Sequence, residues 1–274
     1  MARVKTMIRL IVTDLDDTLL DARGRLPAQN IEALQKARER GAVVTIATGR
    51  MTSAAVGFAR QLGVDSPMIV FNGGLVYDPV HENVIYENPV PLDLTREILR
   101  MAEKMGVYIQ YFDRDHYYFE RRCSYANAYG AHVGFAGIET KQKLSEWVTQ
   151  PASKLLIDTR PEIRDEVCAK FREVFGDWLN IMPTRMSYIE FVANGVDKGV
   201  ALEKLAESMG LGPDEVAAFG DAQNDIGMLK WAGHGWWMQN GHPTARSAAK
   251  YIAPANTEFG VARAIDEMIQ NGLL

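Results

Sequence analysis

"IRLIVTDLDDTLLD" (8–21) is the stretch on which the fold turns. Its apolar half suits a buried strand, and it ends abruptly in Asp14, Asp16, Asp17 and Asp21. Crowded carboxylates repel one another and resist burial, so they require solvent or a cation. The stretch "MARVKTMIRLIV" (1–12) carries basic and then apolar residues, like a leader. Its apolar part stops at Asp14 with no small-residue cleavage site after it, so a first β-strand is expected.

Similar apolar runs recur and alternate with helical patterns. "AQNIEALQKARERG" (28–41) reads as a helix stopped at Gly41, followed by "AVVTIAT" (42–48), helical "SAAVGFARQLG" (53–63) and apolar "PMIVFNGG" (67–74). The pattern resumes with "KGVALEKLAESMG" (198–210), "VAAFGD" (216–221) and "DIGMLKWAG" (225–233). Nearly continuous apolar strands joined by helices predict a parallel sheet covered on both faces. Between these halves, hairpin-like strands such as "VYIQYF" and "MSYIEFV" stand beside helical segments, which reads as an α+β insert. The expected organisation is an α/β, Rossmann-like core at 1–82 and 190–274, interrupted by an inserted α+β domain at 83–189.

Composition narrows the function. A net charge of -5 without a basic block argues against nucleic acid as the partner. No run of apolar residues is long enough to span a membrane. Cys123 and Cys168 lack metal-like spacing and read as thiols in a reducing cytoplasm. His81, His116, His132, His234 and His242 show no zinc-ligand spacing.

In a parallel α/β sheet, ligands bind beyond the carboxyl ends of the strands. Four features converge there: Asp14-Leu15-Asp16-Asp17-Thr18, Thr48-Gly49-Arg50, Lys198-Gly199, and Gly220-Asp221-Ala222-Gln223-Asn224-Asp225. Singly, each has an ordinary explanation as a solvated loop, a strand end or a helix start. Their order at successive strand ends makes a site the better reading.

Together "DLDDTLL", "TGR", "KG" and "GDAQNDIGML" resemble the four motifs of the haloacid dehalogenase-like superfamily, in particular its Cof-like sugar-phosphate phosphatases. "FNGG" (71–74) and "SYIEFVANGVDKG" (187–199) are similar to further Cof-like stretches. The resemblance implies a phosphatase of small phosphorylated metabolites that uses Mg²⁺, working as a monomer or homodimer. It implies Asp14 as the nucleophile that forms an aspartyl-phosphate, and Asp16 as general acid and base. Neighbouring negative charge would keep Asp16 protonated early in the cycle. Asp14, Asp221 and the backbone carbonyl of Asp16 are implied as metal ligands. Thr48, Lys198 and Asn224 are implied to hold the phosphate, with Asp225 and Asn224 orienting the metal's waters and Lys198. Arg50 either reaches substrate or pairs with an acid. Asp17 stands where the wider superfamily commonly has glycine.

The interval from Asp17 to Thr48 is too short for a cap, whereas that from Arg50 to Lys198 accommodates the type-two cap of Cof-like enzymes. Within it, "YFDRDHYYFERRCSYANAYGAH" (111–132) offers Arg121, Arg122, Tyr125 and His132 as contacts to a substrate's polar body. Alternatively, its tyrosines pack the cap and its arginines are solvated. "GHGWWMQNGHP" (233–243) departs from the family's usual stretch, and Trp236-Trp237 demands altered packing or an interface. Two rival functions are a phosphomutase and a phosphatase dedicated to a compound such as a flavin-precursor phosphate. A non-catalytic binding protein is disfavoured, because Asp14, Asp16, Lys198 and Asp221 are all present.

Overall fold

The computed structural model describes residues 6–274; the first five residues of the leader-like stretch lie outside them. The chain forms two compact units. One holds the residues up to Arg50 with Ala55–Glu87 and Asp197–Leu274; the other holds Met51–Ala54 with Asn88–Val196.

The first unit is built on a five-stranded, wholly parallel sheet. Its strands run in the order Tyr251–Ala253, His234–Met238, Val216–Gly220, Leu10–Thr13, Val43–Ile46. The two central strands are buried along their whole length, as their unbroken apolar sequences require. Leu10, Val12, Val216 and Ala218 pack beneath Ala201, Leu202 and Leu205 of the helix Lys198–Ser208. The opening strand therefore lies inside the sheet, with the second strand on one side and Val216–Gly220 on the other. That reversal of strand order makes a crevice at the carboxyl ends of the strands. The register pairs Thr13 with Phe219, and Asp14 N–H donates to Phe219 O at 2.9 Å. Two acid-bearing loops that stand far apart in sequence thus leave the sheet side by side.

Three expectations are corrected. The run at 67–74 does not extend the parallel sheet. Met68–Val70 pairs antiparallel with Leu75–Asp78, which pairs with Asn83–Glu87, and it meets the end of the second parallel strand through an isolated bridge, Ala47 to Ile69. Residues 83–87 therefore belong to the first unit, because their backbone hydrogen bonds are made there. Conversely, Tyr188–Ala193 lies between two strands of the second unit's sheet, so the boundary falls at Val196 rather than 189.

The second unit has a six-stranded mixed sheet in which Leu179–Thr184, at one edge, and then Tyr188–Ala193, Lys154–Asp158 and Ile109–Phe112 pair antiparallel in turn. Ile98, Leu99, Phe171 and Phe175, from the helices Leu92–Met105 and Pro161–Phe175, join its apolar core. Tyr129, from the helix Ser124–Val133, meets Phe112 and Tyr117 with ring centroids 5.8 and 4.9 Å apart. Tyr117 and Tyr129 thus pack this unit.

The paired tryptophans have a packing explanation. Trp236 lies in register between Phe219 and Tyr251 on adjacent strands, and the three rings stack with centroids 6.0 and 4.7 Å apart. Stacked aromatic pairs contribute about 0.5–1.5 kcal/mol each beyond their area burial. Trp237 packs with Leu229, Ala245 and Ala248.

Candidate active site

The core of the site is a buried cation between acids. Lys198 is fully buried, and its Nζ donates to Asp14 Oδ1 and Asp225 Oδ1, both at 2.6 Å. Lys198 opens its helix, where Asp197 caps by accepting from Gly199 N–H at 2.6 Å and Val200 N–H at 3.3 Å. Close approach explains the glycine after it: a Cβ on Gly199 would stand 2.4 Å from the Gly227 carbonyl carbon. Burial works against the charge of Lys198, yet the carboxylates of Asp14 and Asp225 outweigh it and hold the ammonium above the ordinary lysine range.

Asp225 is anchored from behind: its Oδ2 accepts from the N–H groups of Asp221 and Ala222, each at 2.9 Å. Asp221 accepts from the buried Thr18 hydroxyl at 2.7 Å. Asp14, Asp221 and Asp225 each offer a carboxylate oxygen within 4.8 Å of the others, among the described residues. Burial first, and then the carboxylates of Asp225 and Asp221, push Asp14 well above the usual carboxylate range against the pull of Lys198. Burial and the neighbouring Asp225 push Asp221 up to about 7. This crowding of hard oxygen donors fits Mg²⁺, which binds through one or two carboxylates and retains water.

A pH dependence follows. With folded pKa values raised above the unfolded value of 3.8, the native state binds more protons than the unfolded chain. The stability contributed by Asp221 is therefore lost as pH rises from about 4 through about 7, and that of Asp14 changes in the same direction. A divalent cation competes with those protons and offsets the repulsion. The rise in thermal midpoint on adding Mg²⁺ should be clearly larger at pH 8 than at pH 5.5 in differential scanning fluorimetry. An equal rise at both would contradict this account.

Asp16 stands apart from the buried acids. Its side chain is 53% exposed and accepts from Arg50 Nε at 2.9 Å and from Nη2 at 2.6 Å. The negative surroundings expected for Asp16 are joined by a guanidinium that faces both its oxygens. Of the two readings for Arg50, the structure displays pairing with an acid, and the guanidinium also lies 4.9 Å from the Phe58 ring centroid. Thr48 is buried and its Oγ1 accepts from Arg50 N–H at 3.2 Å. Asn224 Nδ2 donates to Asn72 Oδ1 at 2.9 Å.

Asn72 is a residue that sequence reasoning missed. Its N–H donates to Thr48 O at 3.0 Å, and its side chain lies against Gly49, joining the second and fourth motif loops. Thr18 was named within the first acid-bearing loop but given no role, which its hydroxyl's bond to Asp221 supplies. In the second unit, Arg121 is 81% exposed beside Glu120, and Arg122 N–H donates to Glu139 Oε1 at 3.0 Å. Tyr125 stacks on Tyr108 at 5.6 Å, and His132 lies edge-on to Tyr129.

A parallel sheet whose strand tips gather these acids, one buried lysine and a threonine defines a hydrolase of the haloacid dehalogenase-like class. The profile of haloacid dehalogenase-like hydrolases matches residues 11–265, and the chain belongs to that family. A Streptococcus pyogenes protein provisionally named a phosphatase is 30% identical over 269 residues, covering 96% of this chain and 99% of its own. The 5-amino-6-(5-phospho-D-ribitylamino)uracil phosphatase of Bacillus subtilis is 28% identical over 273 residues, covering 96% and 98%. A crystal structure of a haloacid dehalogenase-like hydrolase from Bacteroides thetaiotaomicron superposes with a TM-score of 0.88 at 29% identity, covering 95% of this chain and 99% of that one. Among the described residues, no helix is long and apolar enough to cross a membrane.

Proposed function

We propose that this chain is a Mg²⁺-dependent cytoplasmic phosphatase of small phosphorylated metabolites, with sugar phosphates as the first class to try. The observation that carries the reading is Lys198 Nζ, 2.6 Å from both Asp14 and Asp225, at a strand tip crowded with further acids. Held by Asp14 and Asp221, Mg²⁺ would offset the charge of the carboxylates and of the incoming phosphate.

Asp14 is the nucleophile: its carboxylate forms a bond to phosphorus as the ester P–O bond breaks, giving an aspartyl-phosphate. Asp16 donates a proton to the departing alkoxide, then takes one from the water that hydrolyses the aspartyl-phosphate. Donation first requires that a protonated Asp16 part from Arg50, which holds both its oxygens in the resting arrangement. Lys198 and Thr48 hold the transferring group's oxygens, and Asp225 fixes the ammonium of Lys198. Asn224 completes the phosphate contacts.

A second reading has support in the Bacillus subtilis relative, whose named substrate is a phosphorylated ribityl chain on an aminouracil. The test is phosphate release from a panel of sugar phosphates, nucleotides, pyridoxal phosphate and ribitylaminouracil phosphate, with Mg²⁺ and with chelator. Metal-dependent release identifies the reaction, and the preferred ester separates the two readings. Silence across the panel from folded protein would overturn both, and product analysis with a sugar bisphosphate would then test a mutase.

A further inference from the structure

We propose that Asn240 is a positioning residue of this site, the exposed member of a three-asparagine clamp that sets the geometry of the acid-bearing loop 14–20. The functional part of this inference rests on the phosphatase reading above.

The loop needs holding. Asp17 has φ 58° and ψ 5°, a left-handed conformation that favours glycine and that few other residues adopt without support from their surroundings. This turn sends the Asp16 side chain to Arg50 and the Thr18 hydroxyl inward to Asp221. It also turns out carbonyls that need donors. Three side-chain amides supply them: Asn240 Nδ2 donates to Asp17 O at 2.7 Å, Asn30 Nδ2 to Leu19 O at 2.9 Å, and Asn256 Nδ2 to Leu20 O at 2.9 Å.

Each amide is held at its other end. The Oδ1 atoms of Asn240, Asn30 and Asn256 accept from the N–H groups of Asn256, Ala262 and Thr257 at 2.9, 3.2 and 2.9 Å. With both ends engaged, the amides cannot swing away, so the carbonyls of the loop are fixed in direction. Asn30 and Asn256 are buried, whereas Asn240 is exposed and can be replaced without opening the core.

The turn carrying Asn240 also touches the other acid loop. His242 N–H donates to Asp221 O at 2.7 Å. A Cβ on Gly241 would stand 2.5 Å from that same carbonyl oxygen and 2.7 Å from Trp237 Nε1, so glycine is required for this approach. One short turn thus grips the backbone of Asp17 on one side and of Asp221 on the other. It sets the spacing across which Thr18 and Asp221 meet.

The test uses the full chain with Asn240→Ala and Asn240→Asp; the aspartate keeps the oxygen that accepts from Asn256 N–H and loses the donor to Asp17 O. Gln239→Ala, on the same turn, is the control. Three quantities are read: Mg²⁺ affinity by calorimetry without substrate, hydrogen exchange across residues 14–20, and kcat and KM with the best ester of the panel. Both Asn240 variants should fold, exchange faster in that loop, and bind Mg²⁺ about tenfold to a hundredfold more weakly. Their kcat should fall by a similar factor with KM little changed, while Gln239→Ala matches the parent.

Unchanged exchange overturns the proposal, and so does faster exchange with parental Mg²⁺ affinity, which makes Asn240 a structural contact only. Failure of the parent to bind Mg²⁺ also overturns it. If the parent binds Mg²⁺ but hydrolyses nothing, the phosphatase reading fails while the clamp still stands or falls on the calorimetry.

Discussion

Asp14→Asn should lower phosphate release by about a thousandfold or more while the protein remains folded. An amide oxygen is a poor nucleophile toward phosphorus, so the proposed covalent step would lose its attacking atom. Stability should survive because the substitution keeps the shape and removes one negative charge from a group of crowded acids. Lys198 retains Asp225 as its partner, and the new amide oxygen still accepts from the ammonium. The measurement is single-turnover phosphate release alongside a thermal melt in chelator. Activity within tenfold of the parent would remove Asp14 from the nucleophile's role. A collapse of the melt would instead make the residue chiefly structural.

Lys198→Met should damage both stability and turnover. Removing one partner from a buried ion pair leaves charge uncompensated and costs about 3–5 kcal/mol. Here two buried carboxylates, those of Asp14 and Asp225, lose the same ammonium. For a chain of this size the thermal midpoint should fall by roughly 6–20 °C. The loss should be smaller at low pH, where Asp14 takes up a proton and the uncompensated charge disappears. Lys198→Arg should not restore activity, since a planar guanidinium does not reproduce a compact ammonium in a fully buried position. Fluorimetry at pH 5.5 and pH 8, together with phosphate release, checks all three statements. A variant as stable as the parent at both values would show that Lys198 offsets little of the acid crowding.

Much of the site could be read because its chemistry is local to strand ends. An apolar run that ends in carboxylates, as at Asp14, has few places to sit except the tip of a buried strand. Lys198 beside Gly199 and Asp221 ahead of Asp225 were legible for the same reason, since each is tied to a helix start or strand end that the pattern reveals. Arg50 was not legible in this sense. Whether a guanidinium meets Asp16 depends on how two loops from neighbouring strands curl, and nothing near Arg50 in the sequence specifies its partner.

The strand at Asn83–Glu87 shows a second kind of limit. Its residues suit any half-buried strand, and only pairing with Leu75–Asp78 assigns it to the first unit. Tyr188–Ala193 was read into the insert, but the boundary drawn at 189 cut through it, because the strand's extent is set by backbone hydrogen bonds that periodicity does not encode. Trp236 read as a packing problem until the register set its ring between Phe219 and Tyr251.

By itself, then, the sequence determined the alternation of strands and helices, the insertion of an α+β segment, and which residues stand at the strand tips, because hydrophobic period and turn chemistry act over short distances along the chain. The tertiary structure alone decided which tips became neighbours. Asp14 meets Asp221 and Lys198 because the opening strand lies beside Val216–Gly220, and Asp17 meets Asn240 because a turn from the far end of the chain folds back over it. Those contacts depend on sheet order and burial, which only the assembled core can select.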